Sequence, residues 1–355
     1  MNFKYRRNPT AETAVFGLVF LAALIVGTIY LTRETDQPEA PSAATAGRWE
    51  LQDSGVTNTL LDVKFVNDTH GWAVGEGGVI IATTDGGKTW TIQYSGYELT
   101  LNSVDFTDEA NGWAIGQLGL ILNTNDGGNS WIVQGKDAAL GQNLIKVHFD
   151  NAGEGRIIAE RGSFALSTTD GGRAWNRRFF ENTLPRSDAF FLDERRGWVS
   201  FRSGAVFSTT DGGDSWELLE GINGVEIGTN SVFFLDDRNG WIAGWRGKAK
   251  GASGGVEFVK YLTDGMVART TDGGASWARH DSDTGRFLWD VVFLISIEGW
   301  AVGSFGTIMR SADGGITWES HPTPTESHLR SLSFPDRNNG WAVGDGGTVL
   351  IYTTN

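Results

Sequence analysis

Six aspartates occur in short segments that share one pattern, in which two glycines follow the Asp and a Trp stands five positions after it. A carboxylate in a tight turn could serve as a catalytic acid or as a calcium ligand. Calcium prefers about six to eight oxygen ligands, whereas the pattern supplies only one carboxylate per segment. The pairs are Asp85 and Trp90, Asp126 and Trp131, Asp170 and Trp175, Asp211 and Trp216, Asp272 and Trp277, and Asp313 and Trp318.

We expect these aspartates to have a structural role. A carboxylate in such a turn accepts hydrogen bonds from backbone N–H groups of the same turn. The two glycines allow backbone angles that a Cβ would penalise, and the Trp on the next strand can pack over the turn. Six copies that are spread round a ring, as the repeat described next predicts, cannot converge on one substrate. The pattern therefore predicts neither a catalytic site nor a metal site.

The repeated turns belong to a longer unit. The six aspartates are spaced by 41, 44, 41, 61 and 41 residues, and most are preceded by a second motif of the form NGWAVG. With the β-like run ahead of that motif, each unit predicts four short antiparallel strands in about 40 residues, which is typical of a propeller blade. In the third unit the second motif degenerates, because Arg156 replaces its Trp.

The ends of the chain complement each other. There are six complete units and two fragments, and the last unit stops at Asn355 before its outer strand. The segment around Trp49 matches that missing strand, with Trp49 in place of the Trp of the repeated turn. We therefore predict one all-β domain over 47–355, a seven-bladed β-propeller whose ring is closed by pairing of N-terminal and C-terminal strands.

These motifs carry a resemblance to known families. The Asp turn resembles the Asp-box, or bacterial neuraminidase repeat, of sialidases, some glucanases and sortilin-like receptors. The pairing of NGWAVG with TTDGGKTW at a 41-residue spacing is more specific and resembles the photosystem II stability/assembly factor propellers of cyanobacteria and chloroplasts and their bacterial relatives. Over 47–355, this resemblance implies a non-enzymatic propeller that holds a membrane-protein partner, such as a photosynthetic reaction centre, during or after assembly.

Arginine is concentrated in one part of the predicted ring, since nine of the 21 arginines fall within 156–202. Blade topology places the loops between second and third strands on the same face as the connectors between blades. Guanidinium groups on that face could pair with carboxylates or phosphates of an acidic partner. The predicted partner-binding residues are Arg161, Arg186, Arg202 and Arg246, with Lys248 and Lys250 in the insertion 246–266.

Alternatives stay open for these basic residues. The arginines could be ordinary solvated charges, and the position of Arg173, Arg195 and Arg196 on the opposite face favours that interpretation. The insertion 246–266 could form a binding hairpin or be neutral decoration. The assembly-factor family is known for an arginine patch on its propeller, which favours the binding hypothesis.

The first 46 residues are predicted to lie outside the propeller. Within 13–32, the 18 residues of 14–31 carry no charge and are long enough to cross a bilayer as a helix. Basic residues precede this segment, so the positive-inside rule predicts a cytoplasmic tail at 1–12 and export of everything after the helix. A Pro/Ala/Ser linker at 33–46 would then join the helix to a propeller in the periplasm or lumen. A cleaved signal peptide is the alternative to this single-pass inner-membrane anchor.

The composition argues against several classes of partner and site. A formal net charge of -14 argues against a nucleic acid partner. With no cysteine and only five histidines, we expect neither a metal site nor a cofactor. The alternative function is an exported glycoside hydrolase of the sialidase or glucanase type, although the (F/Y)RIP motif of sialidases is missing from the sequence. We favour a membrane-anchored scaffold that binds exposed loops of an integral membrane complex.

Overall fold

The computed structural model describes residues 47–135, 138–139, 141–161, 164–179, 185–219, 222, 227–247, 263–282 and 284–354. By its contacts the chain divides into two units, Met1–Ala46 and Gly47–Asn355. The tail, membrane helix and linker predicted over 1–46 lie outside the described residues. Within the described ranges, no helix is long and apolar enough to span a membrane.

The described chain forms seven antiparallel sheets of four strands each, which confirms the predicted seven-bladed β-propeller. Blade 1 consists of β2 (Leu60–Phe65), β3 (Gly71–Gly75), β4 (Ile80–Thr83) and β5 (Thr91–Gln93). Blade 2 consists of β6 (Leu101–Phe106), β7 (Gly112–Gly116), β8 (Ile121–Thr124) and β9 (Ile132–Val133). Blade 3 consists of β10 (Leu144–Phe149), β11 (Gly155–Ala159), β12 (Phe164–Thr168) and β13 (Asn176–Phe179).

The remaining blades follow the same order from the channel to the rim. Blade 4 consists of β14 (Arg186–Phe191), β15 (Gly197–Phe201), β16 (Val206–Thr209) and β17 (Glu217–Leu218). Blade 5 consists of β18 (Ile227–Phe234), β19 (Gly240–Gly247), β20 (Thr263–Thr270) and β21 (Ala278–Asp281). Blade 6 consists of β22 (Leu288–Ile295), β23 (Glu298–Gly303), β24 (Ile308–Ser311) and β25 (Glu319–Ser320). Blade 7 consists of β26 (Leu329–Ser333), β27 (Asn339–Gly344), β28 (Val349–Thr353) and β1 (Arg48–Gln52).

Blade 7 is built from both ends of the domain. Strand β1 pairs antiparallel with β28 in a register that joins Arg48 to Thr353 and Gln52 to Val349. Trp49 is buried in this blade, with its ring centroid 5.7 Å from that of Trp300 and 5.4 Å from that of Tyr352. The ring is therefore closed by backbone hydrogen bonds and aromatic packing between the two chain ends.

The second strand of each blade is buried on both faces, which explains its Gly-Trp-Ala-Val-Gly pattern. A Cβ on Gly71 would lie 2.4 Å from the ring of Phe65, and a Cβ on Gly75 would lie 1.9 Å from the carbonyl oxygen of Thr59. Glycine is therefore required at both ends of β3, because neighbouring segments of the chain approach these two positions closely. Between them, Trp72 and two small apolar residues fill the space between adjacent blades.

Adjacent blades are joined by a repeated aromatic contact. The indole of a second-strand Trp stacks on the Phe that ends the inner strand of the next blade, as for Trp72 on Phe106 with centroids 3.6 Å apart. Its N–H donates to a glycine carbonyl in the Asp turn of that next blade, here Gly127 at 3.0 Å. Both contacts recur for Trp113, Trp198, Trp241 and Trp341.

The Trp of each Asp turn packs on the other side of the contact. The ring of Trp90 meets Phe65 edge-on with centroids 5.9 Å apart, so Phe65 lies between this indole and that of Trp341. Trp49 makes the equivalent edge contact with Phe334 at 5.9 Å in blade 7. The same edge contact occurs in the remaining blades at Trp131, Trp175, Trp216, Trp277 and Trp318.

The Asp of each turn closes the hairpin between the third and outer strands. Asp85 accepts hydrogen bonds from the backbone N–H and hydroxyl of Thr89, at 2.9 and 2.7 Å, and from the Thr83 hydroxyl at 2.8 Å. These bonds stabilise the ionised form, so the pKa of Asp85 is lowered by Thr89 and Thr83. The arrangement around Asp126, Asp170, Asp211, Asp272 and Asp313 is equivalent.

Candidate partner-binding surface

Two of the predicted basic residues lie exposed on the loop face, which we define as the face that carries the loops between second and third strands. Arg161 is exposed directly after β11. Arg202 follows β15, its side chain is 66% exposed, and its Nη2 lies 3.2 Å from Oε1 of Glu160. These two arginines from blades 3 and 4 are placed where an incoming partner could reach them.

The prediction that Arg186 lies in an exposed connector was wrong. Arg186 is the first residue of β14 and its side chain is fully buried. Its Nη1 donates to the carbonyl of Ala159 at 3.1 Å, and its guanidinium lies over the Phe201 ring. Burial lowers the pKa of Arg186 to about 10. Alignment of the inner strand RSDAFF with LLDVKF places Arg186 at the position of Leu60, which is a core position. The inner strands of four other blades also begin with Leu at this position, namely Leu101, Leu144, Leu288 and Leu329.

Arg246 is also less available than predicted. It is part of β19 rather than a loop, and its side chain is only 21% exposed. Its Nη2 lies 3.1 Å from Asp281 and 3.7 Å from Asp264, so two carboxylates already surround its charge. Lys248 and Lys250 lie outside the described residues. Of the predicted patch, Arg161 and Arg202 are the residues that the structure places in the open.

An open cleft lies on the opposite face, at the seam between blades 3 and 4. It has a volume of about 850 Å³. Arg195 and Arg196 line it beside acidic groups, and Arg196 is hydrogen-bonded to Asp193, whose pKa is lowered to about 2 by that contact. Arg195 and Arg196 were predicted on this face, whereas the cleft itself was not predicted. Its lining is His148, Phe149, Asp150, Leu192, Asp193, Glu194, Arg195, Arg196 and Thr210.

The cleft lies where the repeated Trp is missing. Arg156 replaces the indole: its Nε donates to the carbonyl of Gly212 at 3.1 Å and its guanidinium lies 5.3 Å from the centre of the Phe191 ring. It also bonds to the carboxylate of Asp150 and the carbonyl of Glu194. Arg156 thus preserves the inter-blade contact while bringing a buried positive charge to the base of this seam.

Further arginines lie near the seam between blades 3 and 4, on an outer strand and in the loops and turns of both faces. On the outer strand of blade 3, Arg178 Nε lies 2.6 Å from the carboxylate of Asp214. Arg161, Arg173 and Arg195 form no salt bridge with any other residue that the structure describes. Since Arg173 and Arg195 lie on the opposite face, we call only Arg161 and Arg202, which share the loop face, the seam arginines. Their guanidinium groups can bind carboxylates through paired hydrogen bonds.

The central channel holds a separate charged cluster, in a space of about 320 Å³. Burial raises the pKa of Asp290 to about 6 and also raises that of Asp188. Although burial opposes its charge, Lys146 has a raised pKa because the carboxylates of Asp62, Asp188 and Asp290 surround it. The ammonium of Lys146 therefore acts as a tethered counter-ion for the channel carboxylates.

These carboxylates also join neighbouring blades. Each accepts a backbone N–H from the inner strand of the next blade, at distances of 2.8 to 3.0 Å. Among the side chains that the structure describes, no group of three or more His, Cys, Asp or Glu could hold a metal ion. The channel cluster is thus accounted for by packing of the ring. The bonds run from Val104 to Asp62, Phe149 to Asp105, Val232 to Asp188 and Leu332 to Asp290.

The chain is similar in sequence to known assembly factors. The sequence profile of the family described as photosynthesis system II assembly factor YCF48 matches residues 41–96, 95–189 and 269–355. Photosystem II assembly lipoprotein Ycf48 of Synechococcus sp. (strain CC9902) is 27% identical over 176 residues, which are 49% of this chain and 40% of that protein. The chain spans less than half the length of the curated relatives it matches.

Solved structures share the fold. A structure described as YCF48 bound to D1 peptide has a TM-score of 0.71 and 23% identity, covering 89% of this chain and 100% of that one. YCF48 from Cyanidioschyzon merolae has a TM-score of 0.70 and 20% identity, covering 87% and 99%. The profile matches occupy 41–189 and 269–355, well over half of the sequence. The chain therefore belongs to the photosynthesis system II assembly factor YCF48 family.

Proposed function

We propose that this protein is a non-enzymatic scaffold that assembles or stabilises a photosynthetic reaction centre by binding exposed loops of that integral membrane complex. Membership of the YCF48 family supports this role, because one relative is named a photosystem II assembly lipoprotein and another was solved with a D1 peptide. The observation that carries the proposal is the pair of seam arginines, which lie exposed on the same face of blades 3 and 4 although the sequence is acidic overall. Of the two, Arg161 forms no salt bridge with a described residue.

The mechanism is electrostatic and geometric. Acidic loops of the partner complex approach the seam between blades 3 and 4, and the seam arginines form charge-assisted hydrogen bonds with their carboxylates. The rigid ring holds these guanidinium groups at fixed positions, so little conformational freedom is lost when the partner binds. Because the sequence is acidic overall, an acidic partner is repelled by most of the protein surface and attracted to the basic region at the seam.

The proposal includes the predicted topology. The tail 1–12 lies in the cytoplasm, the helix 13–32 anchors the chain in the inner membrane, and the linker 33–46 leads to a propeller over 47–355 in the periplasm or lumen. Anchoring confines the propeller near the bilayer and raises its effective concentration at the partner, so that contacts of modest affinity are sufficient.

The experiment is capture of the full chain from mildly solubilised membranes of the host, followed by identification of proteins recovered at fixed stoichiometry. We expect reaction-centre subunits with the wild type and their loss with the double substitution Arg161→Glu and Arg202→Glu. Arg48→Glu, on the exposed outer strand of blade 7, is the matched control and should retain capture.

Two results would contradict the proposal. The first is recovery of the wild type without any reaction-centre subunit, or capture that the double substitution leaves unchanged. The second is turnover of a fluorogenic sialoside or glucan by the purified protein, which would favour the glycoside hydrolase alternative. Capture by the wild type should also weaken as salt is added, because exposed charge pairs are screened.

A further inference from the structure

Four blades connect their second and third strands with the same three-residue 3-10 turn. The turns are Glu76–Gly78, Gln117–Gly119, Ser304–Gly306 and Asp345–Gly347. In each, the middle residue has a left-handed backbone conformation, which favours glycine. Blades 1 and 7 follow this rule with Gly77 at φ 69° and Gly346 at φ 64°.

Blades 2 and 6 break the rule with large apolar residues. Leu118 and Phe305 occupy the middle position, both at φ 55°, although an L-residue with a side chain is disfavoured there. Their side chains are 68% and 57% exposed, so burial does not compensate for the conformation. A Cβ built on Gly346 meets nothing within 4 Å, which shows that a side chain at this position extends away from the ring.

Phe305 is held in place by two neighbouring side chains. Its N–H donates to Nδ1 of His328 at 3.0 Å, and its carbonyl accepts a hydrogen bond from Nη1 of Arg286 at 2.7 Å. The His328 ring lies edge-on at 4.7 Å, and the Arg286 guanidinium lies 5.6 Å from the ring centre. An exposed aromatic with both backbone groups fixed loses little freedom on binding, as expected of an interface anchor.

The positive charge of Arg286, beside Phe305, is not neutralised by any carboxylate that the structure describes. Arg286 is exposed and forms no salt bridge with a described residue. It also lines a cleft of about 400 Å³ with Thr284, Thr307, His321 and Thr323. The hydroxyl of Thr323 is buried there and has no hydrogen-bond partner among the described residues. A carboxylate of a partner that enters this cleft would pair with the exposed Arg286 guanidinium.

We propose that Phe305, Arg286 and His328 form a second docking point, the blade 6 anchor, for a protein partner that offers an apolar pocket edged by a carboxylate. The partner's pocket takes the Phe305 ring, and its carboxylate pairs with Arg286. This inference rests on the proposed scaffold function. It adds a second contact on the loop face, three blades from Arg161, two blades from Arg202 and next to the glycine turn of blade 7.

Site-specific photo-crosslinking in host membranes tests the anchor without assuming the partner's identity. The full chain carries p-benzoylphenylalanine in place of Phe305, or in place of Ile316 as the control, since Ile316 is 51% exposed in the Asp turn of the same blade on the opposite face. We expect a crosslink from position 305 to a protein segment that has an acidic residue near the attachment point. The yield from position 316 should be at least tenfold lower.

Substitutions separate the anchor from the scaffold function. Arg286→Glu in the crosslinking chain should reduce the yield from position 305 at least tenfold, whereas Arg48→Glu should leave it unchanged. A crosslink to a protein other than a reaction-centre subunit would support the anchor and contradict the proposed function. Capture of reaction-centre subunits without a crosslink from position 305 would overturn the anchor and leave the proposed function standing.

Phe305→Gly provides a second measurement with little risk to folding, because blades 1 and 7 build the same turn with glycine. The full chain with this substitution should bind the captured complex at least tenfold more weakly than the wild type. Ile316→Gly is the matched control and should bind as the wild type does. Equal affinity of the Phe305→Gly chain and the wild type would contradict the anchor.

Discussion

Asp290 makes the stability of the ring depend on pH in an unusual direction. Its carboxylate is buried in the channel, where burial raises its pKa to about 6 against the opposing effect of Lys146. In the unfolded chain an Asp titrates near its ordinary value of about 3.9. Between these two values the folded state binds a proton that the unfolded state does not, so the free energy of unfolding rises as the pH falls.

The magnitude follows from the two pKa values. Two units of difference correspond to about 3 kcal/mol in total, of which about 1.3 kcal/mol develops between pH 7 and pH 5. Asp188 contributes in the same direction, since burial raises its pKa too. His321 contributes in the opposite direction, because burial lowers its pKa and the unfolded chain takes up a proton first. A comparison of two chains is therefore needed to isolate Asp290.

Asp290→Asn removes the titrating group and leaves the other two in place. Unfolding free energies of the two chains are measured by urea denaturation at pH 7, 6 and 5. We expect the difference between them to shift by about 1.3 kcal/mol in favour of the wild type over this range. A difference that stays constant with pH, or that shifts in favour of the variant, would refute the reasoning that a buried carboxylate is protonated here near pH 6.

Three further changes test other contacts. Lys146→Met removes the ammonium beside Asp62, Asp188 and Asp290, so the unfolding free energy at pH 7 should fall by about 3 kcal/mol and recover in part at pH 5, measured by urea denaturation. Asp272→Ala removes the bonds from Ser276 and Thr270 and should lower the unfolding free energy by about 1 to 2 kcal/mol without affecting capture of the partner. Phe305→Gly should remain within about 1 kcal/mol of the wild type, since relief of the left-handed conformation offsets the added freedom of glycine.

Much of the fold could be predicted because it repeats. Every unit carries a Gly at or near the start of its second strand, a Phe at or near the end of its inner strand and a Trp that packs on this Phe. Only blades 3 and 4 replace the second Gly, with Ala159 and Phe201. The closing strand could be recognised because Trp49 occupies a position that six other units had already defined. The structural role of the turn aspartates could be predicted from their number and from their distribution round the ring.

The surface was harder to predict, because it depends on what departs from the repeat. Arg186 follows a Pro in the segment between blades 3 and 4 and was therefore expected in the connector, whereas its register in β14 places it in the core. The channel cluster joins residues of different blades, such as Asp62 of blade 1 and Ser331 of blade 7, which are adjacent only after the ring closes. The left-handed conformation of Phe305 could not be inferred from composition, although comparison with the glycines of blades 1 and 7 identifies the position.

Closure of the ring imposes an order on folding. Strand β1 is synthesised first among the strands, yet its partner β28 lies 305 positions later, from Arg48 to Thr353. Until then the edge of β1 has no partner strand, and Trp49 has no Trp300 or Tyr352 to pack against. The pairing of sequence-distant segments is slow, because loop closure must precede the contacts. Trp49 can therefore be buried only after β28 has been synthesised, so its burial marks closure of the ring.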